Sequence, residues 1–157
     1  MSKMREELEL WLAGHPFFAG LDARTMRMIA ECATLVDFEV GQTIFRAGEA
    51  ADRFYLIREG RVALDIYAPR QGSHTIQTIE DGEILGWSWL IPPYQWRFDA
   101  RVIEPLRAVE VDGRKLREEC EVDHDLGYEL LKRFAFLIGR RLESTRIQLM
   151  DLYGSTT

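Results

Sequence analysis

Between residues 33 and 111 apolar and polar side chains alternate in short runs, and Gly41, Gly48, Gly60, Gly72 and Gly82 punctuate them. Alternation with a period of two belongs to strands with one wet face. Val62, Leu64 and Ile66, interleaved with Ala63, Asp65 and Tyr67, are its clearest instance. Comparable runs lie at 35–40, 43–46, 54–58, 74–79, 98–103 and 107–111, with Glu59-Gly60 as a turn. No helical stretch separates them, so parallel crossovers are excluded. Roughly eight short strands with regular glycine turns predict a jelly-roll barrel or sandwich.

The flanks are helical. Residues 6–13 place Leu8, Trp11 and Leu12 at helical spacing, and His15-Pro16 ends the run. Asp22 is a good N-cap for a second helix that turns Met26, Ile29 and Ala30 inward. After the strands, Asp112 caps a short helix through Glu119, and Asp123 caps a long one to about Leu152. At 1.5 Å per residue the long helix reaches roughly 40 Å, further than one face of so small a barrel. Leu130, Phe134 and Leu137 form a short stripe suited to the barrel. Leu131, Ala135, Ile138, Leu142, Thr145, Leu149 and Leu152 advance in alternating steps of four and three, a heptad seam. The seam predicts a two-fold homodimer through this helix.

With 157 residues the chain has a one-domain length, and a net charge of −6 argues against non-specific nucleic-acid binding. No apolar run of about 18 residues is present to span a membrane. The residues after Met1-Ser2-Lys3 lack the apolar stretch of a secretion signal, so the expected location is cytoplasmic. Cys32 and Cys120 match neither a disulfide framework nor a zinc ribbon, and cannot supply an iron–sulfur cluster. His15, His74 and His124 fall in a loop, a strand end and a helix start, without metal-ligand spacing, and no nucleophile motif appears. An enzyme is not expected.

Residues 82–102 are the unusual stretch, with three of the four tryptophans and Pro92-Pro93. Gly82-Glu83, read as opening a short helix, would offer free N–H groups to an anion and a carboxylate to sugar hydroxyls. The spacing Phe38-x-x-Gly41-x-x-Ile44-Phe45-x-x-Gly48, then Asp52-x-x-Tyr55-x-Ile57-x-x-Gly60-x-Val62, then Gly82-Glu83-Ile84, resembles the cyclic-nucleotide-binding domain. That domain is the sensor module of catabolite-activator-type regulators, cyclic-nucleotide-dependent kinases and gated channels. The resemblance implies a β jelly roll with flanking helices, a phosphate-binding cassette at 82–102 and a dimerising C-terminal helix. It makes residues 1–157 a single domain, with helices at 5–31, the jelly roll at 33–112 and C-terminal helices at 113–152.

Carried over by position, Glu83 matches the ribose-binding glutamate, Gly82 the glycine near the phosphate, and Ile84 and Leu85 apolar cassette positions. Backbone N–H groups from Gly82 to Gly86 would hold the anion. Aligned on Ala100 and Val102, the phosphate arginine is replaced by Phe98 and its neighbour by Asp99. Losing such a charge-assisted pair costs about 1.5–3 kcal/mol. Arg97 and Arg101 are the substitutes in reach, although an extended strand turns both away from the Phe98 face. Thr145 matches a hydroxyl that meets the purine, and Arg146 stands where a second hydroxyl would be. Trp87, Trp89, Tyr94, Trp96 and Phe98 either fill the core, plug the pocket or line it for a flatter ligand.

Two functions follow. One is a non-catalytic sensor for a cyclic nucleotide or another small anion, acting through helix packing. The other is a degenerate barrel that serves as a dimeric interaction scaffold, for itself or a partner protein, with its pocket filled by aromatic side chains. Only five residues follow Leu152, too few for the helix-turn-helix that such regulators use on DNA.

Overall fold

The computed structural model describes residues 2–154. Two compact units divide the chain, one running through Glu119 and the other starting at Cys120.

In the first unit, α1 (Ser2–Ala13) buries Leu8 and Leu12, and two residues beyond it stands His15, whose Nδ1 accepts the Phe17 N–H at 3.1 Å. A 3-10 turn, Pro16–Phe18, leads to α2 (Ala23–Glu31). Asp22 caps α2 by accepting the Thr25 N–H at 2.8 Å, and Met26, Ile29 and Ala30 are buried, as their spacing predicts.

Six antiparallel strands follow: β1 (Ala33–Phe38), β2 (Thr43–Phe45), β3 (Arg53–Ala68), β4 (Gly72–Glu80), β5 (Ile84–Leu85) and β6 (Asp99–Asp112). The sheet runs β1-β6-β3-β4, with β2 paired to β6 and β5 to β3. Two pairs of the seven runs merge, which leaves five strands, and β5, which no run marked, makes six where roughly eight were expected. The runs at 54–58 and 62–67 join in β3, and those at 98–103 and 107–111 join in β6. Glu59-Gly60 is therefore an irregularity within a strand, where the β3–β6 register shifts three times between Ile57 and Val62. Gly60 has φ 116°, and a Cβ there would strike the Pro105 carbonyl oxygen and lie 2.9 Å from Leu106 Cα. Only glycine suits that crossing. The strands enclose a core of Phe54, Leu56, Ile57, Val62, Leu64, Val102 and Val109, all fully buried.

After β6, α3 (Gly113–Val122) starts at Asp112, which accepts the Lys115 N–H, and runs three residues past the expected Glu119. In the second unit, α4 (His124–Gly154) begins behind Asp123, which accepts the Leu126 N–H at 3.2 Å. Along α4, Leu130 and Phe134 are buried, whereas Leu131 is 48 % and Leu142 68 % exposed. Ala135 and Thr145 are exposed and Ile138 half-buried. The side chains of Leu149 and Leu152 lie outside the described residues. Tyr128, 64 % exposed, extends the seam by one step toward the start of the helix. Among the described residues no helix is long and apolar enough to cross a membrane.

Candidate functional site: the aromatic segment between two strands

The segment between β4 and β6 departs from the expected anion cradle at its first step. Gly82-Glu83 opens no helix: it lies in the tight turn that carries β4 into β5. The Glu83 carboxylate accepts the Glu80 N–H at 3.0 Å, and the Glu83 carbonyl accepts the Ile57 N–H at 2.9 Å. Gly82 donates its own N–H to the Ile57 carbonyl, and its carbonyl meets His15 Nε2 at 2.8 Å. With Nδ1 accepting from Phe17, Nε2 is the donor in that contact. Both residues serve the turn. Ile84 and Leu85 are buried and pair with Leu56 and Tyr55.

The chain leaves the sheet at Gly86 instead. A single turn follows, closed by the Leu90 N–H on the Trp87 carbonyl. Gly86 has φ 97°, and a Cβ there would stand 2.8 Å from Cζ3 of Trp96. That contact needs a bare backbone against a ring.

The return path from Pro92 to β6 is tied to the loop between β2 and β3. Tyr94 accepts the Ala51 N–H, Trp96 donates to the Glu49 carbonyl, and Gly48 donates to that of Trp96, all within 2.8–3.0 Å. Arg117 from α3 lies over the Tyr94 ring at 4.1 Å and donates to the Trp89 carbonyl. These ties fix where the aromatic side chains fall. Trp96, 2 % exposed, stacks on Phe45 at 3.7 Å between centroids and 9° between planes. Phe98, 6 % exposed, meets Trp87 edge-on at 5.4 Å and Phe45 at 6.3 Å. Trp89 stacks on Phe54 at 5.0 Å. Such pairs contribute about 0.5–1.5 kcal/mol each beyond the area that they bury.

The two arginines behave as the alternation predicts. Arg97 and Arg101 are exposed while Phe98, Ala100 and Val102 are buried. Arg101 Nε donates to Asp65 at 3.0 Å, and that buried carboxylate also accepts the Thr75 hydroxyl at 2.6 Å. Asp99 accepts the Ala47 N–H at 2.8 Å, so it serves the β2–β3 loop. Glu83 and Arg101 are thus each engaged elsewhere, Glu83 with the Glu80 N–H and Arg101 with Asp65. In the second unit, the Thr145 hydroxyl donates to the Arg141 carbonyl of its own helix at 2.9 Å, and Arg146 is exposed. Asp65 as the partner of Arg101 was not foreseen: an acid inside an alternating strand carries no signal of which neighbour it will meet.

The strands form a six-stranded antiparallel β-roll with α1 and α2 before it in the chain, α3 and α4 after it, and an insertion between the last two strands. The cyclic nucleotide-binding domain family model matches residues 35–123. The chain belongs to that family. It is 28 % identical over 141 residues to a CRP-like cAMP-activated global transcriptional regulator of Mycobacterium tuberculosis. That alignment covers 90 % of this chain and 61 % of the relative, so the chain spans well under the relative's full length. A crystal structure of a cyclic nucleotide-binding protein from Geobacter metallireducens is 33 % identical, with TM-score 0.76, covering 88 % of this chain and 97 % of that one. The regulatory subunit of a cAMP-independent protein kinase A from Trypanosoma brucei shares the fold at 22 % identity and TM-score 0.70, covering 85 % of this chain and 48 % of that one.

Proposed function

We propose that this chain is a non-catalytic, cytoplasmic regulatory module whose cassette is filled by its own aromatic side chains, so that it works as a dimeric interaction scaffold without cAMP or cGMP. The cassette's glycine is the one at which the backbone turns away from the sheet, which makes the Gly-Glu step Gly86-Trp87. The ribose carboxylate is then an indole, and the phosphate guanidinium is Phe98. One observation carries the reading: Trp87 and Phe98 stand edge-to-face at 5.4 Å, an apolar pair where a sugar phosphate would need an acid and a base.

Affinity follows from that replacement. The missing guanidinium alone removes about 1.5–3 kcal/mol, one to two decades in Kd. Arg101 does not compensate, because leaving Asp65 would strand a buried carboxylate. The M. tuberculosis relative is named for activation by cAMP; the Trp87–Phe98 pair separates this chain from that behaviour. Output runs through the exposed stripe of α4, covered by a second copy or by a partner protein. Thr145 and Arg146 contact no ligand in this reading.

The test is titration calorimetry with cAMP and with cGMP at millimolar concentration, paired with a thermal melt. Neither nucleotide should give binding heat or raise Tm. Saturable heat with a matching rise in Tm overturns the proposal.

A further inference from the structure

Trp96 is not simply one more core residue. Its ring lies flat on one wall, the face of Phe45, parallel to within 9°, and its Cζ3–Cη2 edge comes so close to Gly86 that a Cβ there would stand 2.8 and 2.9 Å from those two atoms. A parallel ring face favours a flat occupant, and an end that admits no side chain limits its length. The indole is 2 % exposed, yet its Nε1–H finds no acceptor among the described residues. A buried indole ordinarily finds a partner for that proton. The slot therefore fits the outline of a bicyclic ring and not the chemistry of a tryptophan.

The strap that delivers the ring is a separate structure from the walls. Trp96 enters from the 94–96 segment, zipped to the β2–β3 loop by backbone bonds, while Phe45 and Gly86 belong to β2 and the end of β5. Its neighbours Gln95 and Arg97 are exposed, so the ring enters from the surface. We propose that the Phe45–Gly86 slot is a binding site for flat, apolar bicyclic rings, and that Trp96 occupies it as a ligand covalently attached to its own protein. This deepens the reading of a self-filled cassette and rests on it. The occupant's effective concentration is set by the tether, so a diffusible ring competes poorly with it in the wild type.

Removing the tethered ring tests the site. In Trp96→Gly the slot is vacated, and indole at millimolar concentration should raise Tm by about 3 °C through mass action. The same indole should leave the wild type and Trp96→Leu unmoved. Benzothiophene, equally flat but without an N–H to strand, should bind Trp96→Gly at least as tightly as indole. Adamantanol, round and of comparable bulk, should not bind, whereas a shapeless cavity would accept it. If Trp96→Gly does not fold alone, indole should restore its circular dichroism, because a ligand of the native state pulls folding forward. Equal shifts with adamantanol overturn the slot, and so does a Trp96→Gly protein that responds to no ring, folded or not. A wild type that bound cAMP would instead sink the proposed function. The two failures are distinct.

Discussion

An arginine restored at position 98 would enter a site that is 6 % exposed and walled by Trp87 and Phe45. No acid there can pair with it, since Asp99 is turned to the Ala47 N–H and Asp65 to Arg101. Phe98→Arg should therefore lose roughly 3 kcal/mol in a urea melt, the scale of an unpaired buried charge, and gain no cAMP binding. Stability equal to wild type, or measurable cAMP affinity, would mean that the aromatic packing is not what keeps the site closed. Arg101→Ala should cost less, about 1–2 kcal/mol, because the Arg101 side chain is 46 % exposed even though Asp65 is buried. At Cys32 burial pushes the thiol above its usual range. The neutral thiol's contribution is complete below the ordinary thiol pKa and fades as pH climbs through the raised one. Iodoacetamide at mildly alkaline pH should accordingly modify the half-exposed Cys120 at least about tenfold faster than Cys32, and both alike in urea.

At the scale of elements, the glycine-punctuated alternation was sufficient to read the antiparallel roll, and the caps Asp22, Asp112 and Asp123 marked three helix starts. Strand count was misread because sequence reports a glycine without saying whether it ends a strand or lets one strand cross another closely. Gly60 does the second, and β6 continues through Pro105 opposite it, joining the runs at 98–103 and 107–111. Gly60→Ala should thus cost about 3 kcal/mol or more, from a positive φ and a backbone clash together, measured by chemical denaturation. A loss below about 1 kcal/mol would show that the β3–β6 crossing relaxes easily. The helix expected at Gly82-Glu83 was misread for a related reason. Two glycines, Gly82 and Gly86, both precede turns, and a glutamate after the first drew the reading there. Which of them lies where the chain leaves the sheet depends on where β5 forms, and two-residue strands leave no periodicity to read.

For the molecule as a whole, the decisive quantity is what covers α4. A 31-residue helix with Leu142 68 %, Tyr128 64 % and Leu131 48 % exposed leaves an apolar seam in water. Each such side chain, fully buried, contributes about 1.5–3 kcal/mol, enough together to offset the cost of association. If a second copy supplies that cover, folding and dimerisation are linked, and Tm must rise with protein concentration. Leu142→Asp places a charge in the seam beside its own two-fold mate. It should yield monomers by light scattering, lower Tm, and abolish the concentration dependence. A wild type that sediments as a monomer, with Tm independent of concentration, removes the second copy as the cover. The same seam is then left for a partner protein.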